Sequence, residues 1–378
     1  MDLDKETKSE PVDVTKKERF SKLKNYLKKR PPKKRLIIVS SASLAVLLLG
    51  LGYLKFYGPK ADSPNPEPEV VSTYVAPPEP IYSPLTGKEV TQDQANRPIT
   101  GIMIENSVDA RPQSGLVDAG VVFEAIAEGG ITRFLALFQE AQPDYIGPIR
   151  SARPYYVRWA AGFDAGYVHS GGSGEALALI KAIGVKDMDH GVYGNKYFDR
   201  VSNRYAPHNV YTSMERLDSL RESLGFTTSN FTPFKRITEA DQVDNSTAEN
   251  ASSISFNISS PLYNTSYSYD ATTNVYKRTL ANAPHNDERS GKQISPSVVV
   301  AMIMNYSIHP DGIHSVYDNV GSGKVYIFQN GIVLQGTWEK PTDNASLAFK
   351  DSSGNDIQLQ PGQTWITAIP DGKLTYSP

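Results

Sequence analysis

Two arginines flank a serine just ahead of a proline in the string Gly147-Pro148-Ile149-Arg150-Ser151-Ala152-Arg153-Pro154-Tyr155-Tyr156. Proline fits the first turn of a helix, so Arg150, Ser151 and Arg153 fall at a helix N-terminus, where free amides and the helix dipole favour an anion. Two guanidiniums there can grip a phosphate or carboxylate bidentately. The competing reading pairs both arginines with internal carboxylates, for which Glu105, Asp118, Glu124 and Glu128 are available. A second polar string, Tyr167-Val168-His169-Ser170-Gly171-Gly172-Ser173-Gly174-Glu175, reads as strand end, glycine-rich loop and helix start. Such a loop lets backbone amides approach a ligand, and His169 has the chemistry of a general acid or base. The alternative is an ordinary tight strand-to-helix turn. A nucleophile elbow centred on Ser173 fails, because Glu175 stands where its second glycine belongs. Arg204-Tyr205-Ala206-Pro207-His208-Asn209 supplies one more positive group. The candidate anion site is therefore Arg150, Ser151, Arg153, His169, Ser170, Ser173 and His208, with no catalytic role assigned to any of them.

Other strings imitate chemistry less well. Gly321-Ser322-Gly323-Lys324 resembles the end of a phosphate-binding P-loop, but Asp318 replaces its first glycine and Val325 its final hydroxyl residue, so a hairpin loop is expected. His309-Pro310-Asp311-Gly312-Ile313-His314 and Asp187-Met188-Asp189-His190 each gather several metal-ligand types. Neither has the spacing of a helical histidine pair or a calcium loop, so turns are expected, with no metal and no cofactor. The chain has no cysteine, which removes disulfides, thiol nucleophiles, cysteine metal sites and a lipid-modified cysteine.

Several elements can position the arginine and glycine strings. Gly101 to Ile104, Val121 to Glu124 and Thr132 to Phe138 read as strands. A helix over Glu175 to Ile183 has Ser173 as its cap and Gly184 after it, and another follows a capping box in Thr212-Ser213-Met214-Glu215. A third starts near Pro154. From about Ser253 the period becomes two, in Ser253 to Ile258, Ser297 to Met304, and Val325 to Phe328 joined to Ile332 to Leu334 across Asn330-Gly331, a hairpin turn pair. The fold class is α+β: an N-terminal mixed α/β domain over 82–238, a polar linker or loop over 239–252, and a mostly antiparallel β-rich region over 253–378.

The first 81 residues differ in kind. Residues 1–35 hold 13 lysines and arginines against 6 acidic residues, while the rest of the 378-residue chain carries −9. Leu36 to Leu54 follows without a charge, long enough for a membrane span and longer than a usual signal-peptide core. The basic flank places residues 1–35 in the cytoplasm, with residues 36–54 as a single-pass anchor. The basic charge suits topology and no nucleic-acid partner is expected. Residues 56–84 contain eight prolines, so 55–81 reads as a semi-rigid stalk holding the remainder outside.

Pro84-Leu85-Thr86-Gly87, Arg111-Pro112-Gln113-Ser114-Gly115-Leu116, Glu128-Gly129-Gly130-Ile131-Thr132-Arg133, the Gly147 to Tyr156 string, His169 to Ser173 and Pro207-His208-Asn209 together resemble the YerB-like family. Tyr276-Lys277-Arg278, Pro284-His285, Gly336-Thr337-Trp338 and Pro361 to Ile366 continue the resemblance over most of 82–378. It implies a bacterial envelope protein of uncharacterised function with a mixed α/β region and a β-rich region, often anchored as a lipoprotein. This chain, lacking cysteine, departs from that anchor. The expected function is an anchored extracytoplasmic binding or scaffold protein, with a cell-wall glycan, an anionic polymer or an envelope protein as partner. The alternative is a hydrolase or transferase acting on a phosphorylated or glycan substrate, and a third reading makes the arginines purely structural.

Overall fold

Residues 79–238, 241 and 248–378 are described by a computed structural model. The basic tail, the Leu36 to Leu54 run, the stalk up to residue 78 and most of 239–252 lie outside the described residues. Among the described residues no helix is long and apolar enough to cross a membrane.

Five strands build the N-terminal part: β1 (Thr100–Glu105), β2 (Val121–Glu128), β3 (Ile131–Phe138), β4 (Gly166–His169) and β5 (Lys186–Asp189). β3 runs antiparallel to both β1 and β2, while β1, β4 and β5 run parallel. β1 to β4 are almost entirely buried because helices and loops cover both faces, whereas the edge strand β5, Lys186-Asp187-Met188-Asp189, buries only Met188. The sheet does not stop there. Its order is Ala348–Lys350, Ile332–Lys340, Gly321–Gln329, Val298–Ile303, Thr364–Ile369, β2, β3, β1, β4, β5, and Glu249–Asn250 brings it to eleven strands. Thr364–Ile369, near the end of the chain, lies parallel to β2 on one side and to Val298–Ile303 on the other. A separate five-stranded antiparallel sheet holds Ser253–Phe256, Thr265–Asp270, Val275–Leu280, Ala283–Pro284 and Leu374–Ser377.

The molecule is thus strand-rich, with one mixed and one antiparallel large sheet, and the mixed sheet is shared by the two parts that composition separates. Val298–Ile303 departs from the alternating pattern expected of it. It is buried on both faces, since it is a central strand.

Local signals place the helices. Pro154–Ala161 starts with proline in its first turn and Arg153 as N-cap. Gly174–Ala182 is capped by Ser173, whose hydroxyl accepts from the Ala176 amide at 3.3 Å. Met214–Ser223 is capped one residue later than the Thr212 to Glu215 box suggests. Ser213 accepts from the Arg216 amide, whereas the Thr212 hydroxyl donates to Tyr197 O at 2.7 Å, so a tertiary bond has taken the local cap away.

Gly321 to Lys324 also differs from expectation. These residues open the nine-residue strand Gly321–Gln329, and the turn falls at Asn330-Gly331, where both residues have positive φ, 55° and 74°. The partner strand tolerates no side chain at Gly336, because a Cβ there would sit 2.2 Å from Lys350 O. Gly336→Ala is expected to cost about 1–3 kcal/mol. Thermal melting checks this, and an unchanged midpoint would show that the pairing of Ile332–Lys340 with Ala348–Lys350 is looser than described.

Candidate functional site

β1, β2, β4 and β5 all end at one edge of the sheet, the edge at which open α/β sheets place ligands. Glu105 closes β1, opposite Arg133 on β3; Glu128 closes β2; His169 closes β4 beside Asp189 on β5. The segment through Arg150 is threaded along this edge. Its amide donates to Met103 O at 2.9 Å, its carbonyl accepts from the Ser170 amide at 3.1 Å, and the Ala152 amide donates to Gly171 O at 2.9 Å. The two strings that the sequence singled out are therefore neighbours, joined by backbone bonds.

Both arginines have carboxylate partners. Arg150 Nε lies 3.2 Å from Glu105 Oε1, off hydrogen-bond alignment, and the other oxygen of Glu105 is 2.9 Å from His208 Nδ1. Arg153 Nη2 is 2.5 Å from Glu128 Oε2, and Glu128 Oε1 pairs with Arg133. Arg133, which the sequence reading passed over, is the floor of the cluster. Its side chain is 2% exposed, and it donates to Ser151 O at 3.0 Å. Desolvation, reinforced by Arg153 and Arg150 nearby, lowers its pKa to about 10. Three guanidiniums thus share two carboxylates. The buried Nε atoms of Arg133, Arg150 and Arg153 and the hydroxyl of Tyr167 have no hydrogen-bond partner among the described residues. They gather at the positive end of the Pro154–Ala161 helix, whose N-cap Arg153 makes no side-chain capping bond.

The glycine-rich loop is turned inward. His169 is fully buried; its Nδ1 lies 2.9 Å from Gly171 O and its Nε2 2.9 Å from Asp187 Oδ1. Both nitrogens face protein acceptors, so the ring holds the loop and cannot meet a substrate proton. Ser173 spends its hydroxyl on the helix cap, and Ser170 Oγ is 3.0 Å from His190 Nδ1. His208 is different. Held by Glu105 through Nδ1, it borders a cavity of about 540 Å³ that Arg111 and Arg204 also line. The His309 to His314 turn rims the edge from the C-terminal part: His309 Nε2 is 3.1 Å from Glu175, and the Gly129 amide donates to Ile313 O. Among the described residues no group of three or more side chains is arranged to hold a metal ion.

A second polar assembly lies deeper. Arg278 Nε donates to His285 Nδ1 at 3.0 Å, His285 Nε2 faces Gln113 Oε1 at 2.9 Å, and Gln113 Nε2 donates to Asn106 Oδ1 at 2.9 Å. Asn106 Nδ2 donates to Thr132 Oγ1 at 2.7 Å, Thr132 donates to Glu124 Oε1 at 3.1 Å, and Arg278 Nη2 closes the ring on Glu124 Oε2 at 2.8 Å. Trp365 Nε1 also donates to Glu124, while its ring lies 4.2 Å from the guanidinium. Burial and the neighbouring cations Arg278 and Arg111 push His285 well below the usual imidazole range, so it is neutral, as its acceptor role requires. Glu124, one of four carboxylates considered for Arg150 and Arg153, belongs here instead. The signal for it was a lone carboxylate inside an apolar strand, which must find a buried cation.

A family model described as "Protein of unknown function (DUF3048) N-terminal domain" matches residues 85–227, and the corresponding C-terminal domain matches residues 254–366. The chain is 32% identical over 293 residues to YerB of Bacillus subtilis, whose name marks it as a candidate lipoprotein, with 77% of this chain and 87% of that protein covered. The crystal structure of Bacillus subtilis YerB superposes with a TM-score of 0.70 at 29% identity, over 79% of this chain and all of that one.

Proposed function

Because this chain belongs to the DUF3048 family, to which both of its matched regions and its likeness to YerB assign it, we propose that it is a membrane-anchored, extracytoplasmic binding protein of the bacterial cell envelope that holds an anionic group at its arginine edge. YerB's name supports a membrane-associated, outward-facing protein. With no cysteine to carry a lipid, this chain uses the uncharged Leu36 to Leu54 run as its anchor.

One observation carries the anion reading: three guanidiniums share two carboxylates at the positive end of a helix, with the buried Nε of Arg133 and Arg153 unpartnered among the described residues and that of Arg150 off alignment with Glu105. Like charges at a helix N-terminus repel both one another and the dipole, and a bound anion relieves both costs. Arg150, a quarter exposed, is the member that a ligand can reach. The hydrolase or transferase alternative rests on His208, the imidazole that a carboxylate orients beside a cavity, and no longer on buried His169.

Arg150→Gln tests the reading. Removing a charge-assisted bond of about 1.5–3 kcal/mol should weaken binding of inorganic phosphate or short polyphosphate by roughly tenfold or more, followed by calorimetric titration. The melting temperature should barely move, because Glu105 keeps His208. Phosphate and polyphosphate titrations that are silent for the native protein, together with a large fall in stability for Arg153→Gln, would make the arginines purely structural.

A further inference from the structure

A cavity of about 970 Å³ shares no lining residue with the arginine edge, and its chemistry is opposite. Its one arginine, Arg158, is already paired with Asp343 at 2.7 Å, while Asp318 and Asp371 leave the lining net acidic. A phosphorylated ligand is repelled there. Asn319 is 1% exposed and lines the cavity; its Nδ2 is pinned to Tyr155 O at 2.9 Å, and its Oδ1 has no hydrogen-bond partner among the described residues. A buried acceptor held in a fixed orientation with nothing to accept is a costly arrangement, which a ligand hydroxyl or amide N–H would relieve. Gly323, on the same wall, lets the strands close up around the Trp338 indole, since a Cβ there would lie 2.6 Å from Trp338 Nε1 and 2.8 Å from Ile303 O. The half-buried Tyr306 adds an aromatic ring to the lining, and the volume lies within the usual range for small-molecule sites.

We propose that this cavity binds an uncharged sugar unit of a glycan, with Asn319 Oδ1 accepting from a ligand hydroxyl or amide N–H. Sugars present donors and acceptors at close spacing around apolar C–H faces, which suits Asn and Asp side chains set beside an aromatic ring. The site stands independently of the arginine edge, so either can fail without the other.

The test is calorimetric titration of the full chain in detergent with a tetrasaccharide of N-acetylglucosamine and, separately, with maltotetraose. At least one should bind, and binding of the amide-bearing sugar alone would identify the N–H as the donor that Asn319 receives. Ser322→Trp, an exposed position lining the cavity, should lower that affinity by about tenfold or more with an unchanged melting temperature. Asp371→Ala, also exposed, should weaken it several-fold, which keeps the test alive if the tryptophan variant fails to fold. Arg150→Gln should leave it unaltered. Failure of both sugars to bind at millimolar concentration, or an affinity unchanged in both cavity variants, would overturn the proposal.

Discussion

Arg278→Met is expected to remove about 3–5 kcal/mol of stability, a large part of the roughly 5–15 kcal/mol that a folded protein holds in total. Arg278 and Glu124 are both fully buried, 2.8 Å apart, and each is a junction of the hydrogen-bonded ring that runs through His285, Gln113, Asn106 and Thr132. Methionine fills much of the space but leaves Glu124 as an uncompensated buried charge and His285 without its donor. The melting midpoint should fall by on the order of 10 °C. Glu124→Gln should cost a comparable amount, and the double variant less than the sum of the two, since removing both charges leaves neither stranded. Strict additivity, or a loss below about 1 kcal/mol for the single variants, would mean that the ring is not the fastening it looks to be. The ring joins β2, β3 and the loop after β1 to the five-stranded sheet and the Thr364–Ile369 strand, so the expected unfolding is of the whole described body at once.

Deleting residues 36–54 is expected to move the protein from the membrane fraction, where alkaline carbonate should leave the native chain, into the soluble fraction. Nineteen uncharged residues suffice to cross the hydrocarbon layer, and among the described residues no helix is long and apolar enough to do so in their place. In intact cells, protease added outside should digest the part beyond Lys60 and spare residues 1–35 if, as proposed, the flank with 13 basic residues stays inside. Carbonate extraction of the native chain, or protection of its C-terminal part when protease reaches the membrane, would refute the anchor.

The helix starts and the hairpin turn were legible in the sequence because each is decided by neighbours along the chain. Pro154 sets its helix through its own ring geometry, Ser173 caps through a hydroxyl three residues from its amide, and Asn330-Gly331 turns because both residues accept positive φ. The proximity of the Arg150 string to the His169 loop was also anticipated, and the family was recognisable from its scattered motifs. Partner choice was not legible. Four carboxylates were candidates for two arginines; Arg150 meets Glu105 and Arg153 meets Glu128 only because β1 and β2 end at the same edge, and Glu124, inside β2, is claimed by Arg278 from 154 positions away. His169 looked like a base and is buried, whereas His208, a lesser candidate, is the one oriented beside a cavity. Gly323 read as part of a hairpin loop and Gly336 only as part of a family motif; a facing indole and a facing carbonyl show why no Cβ fits at either. The sequence by itself determined where the chain turns and caps, since those are short-range balances of sterics and hydrogen bonding. Which charges are neutralised, which polar atoms are left wanting and which edge is open were decided by tertiary structure, because Coulomb and desolvation energies depend on distances and burial that arise only when remote strands are laid side by side.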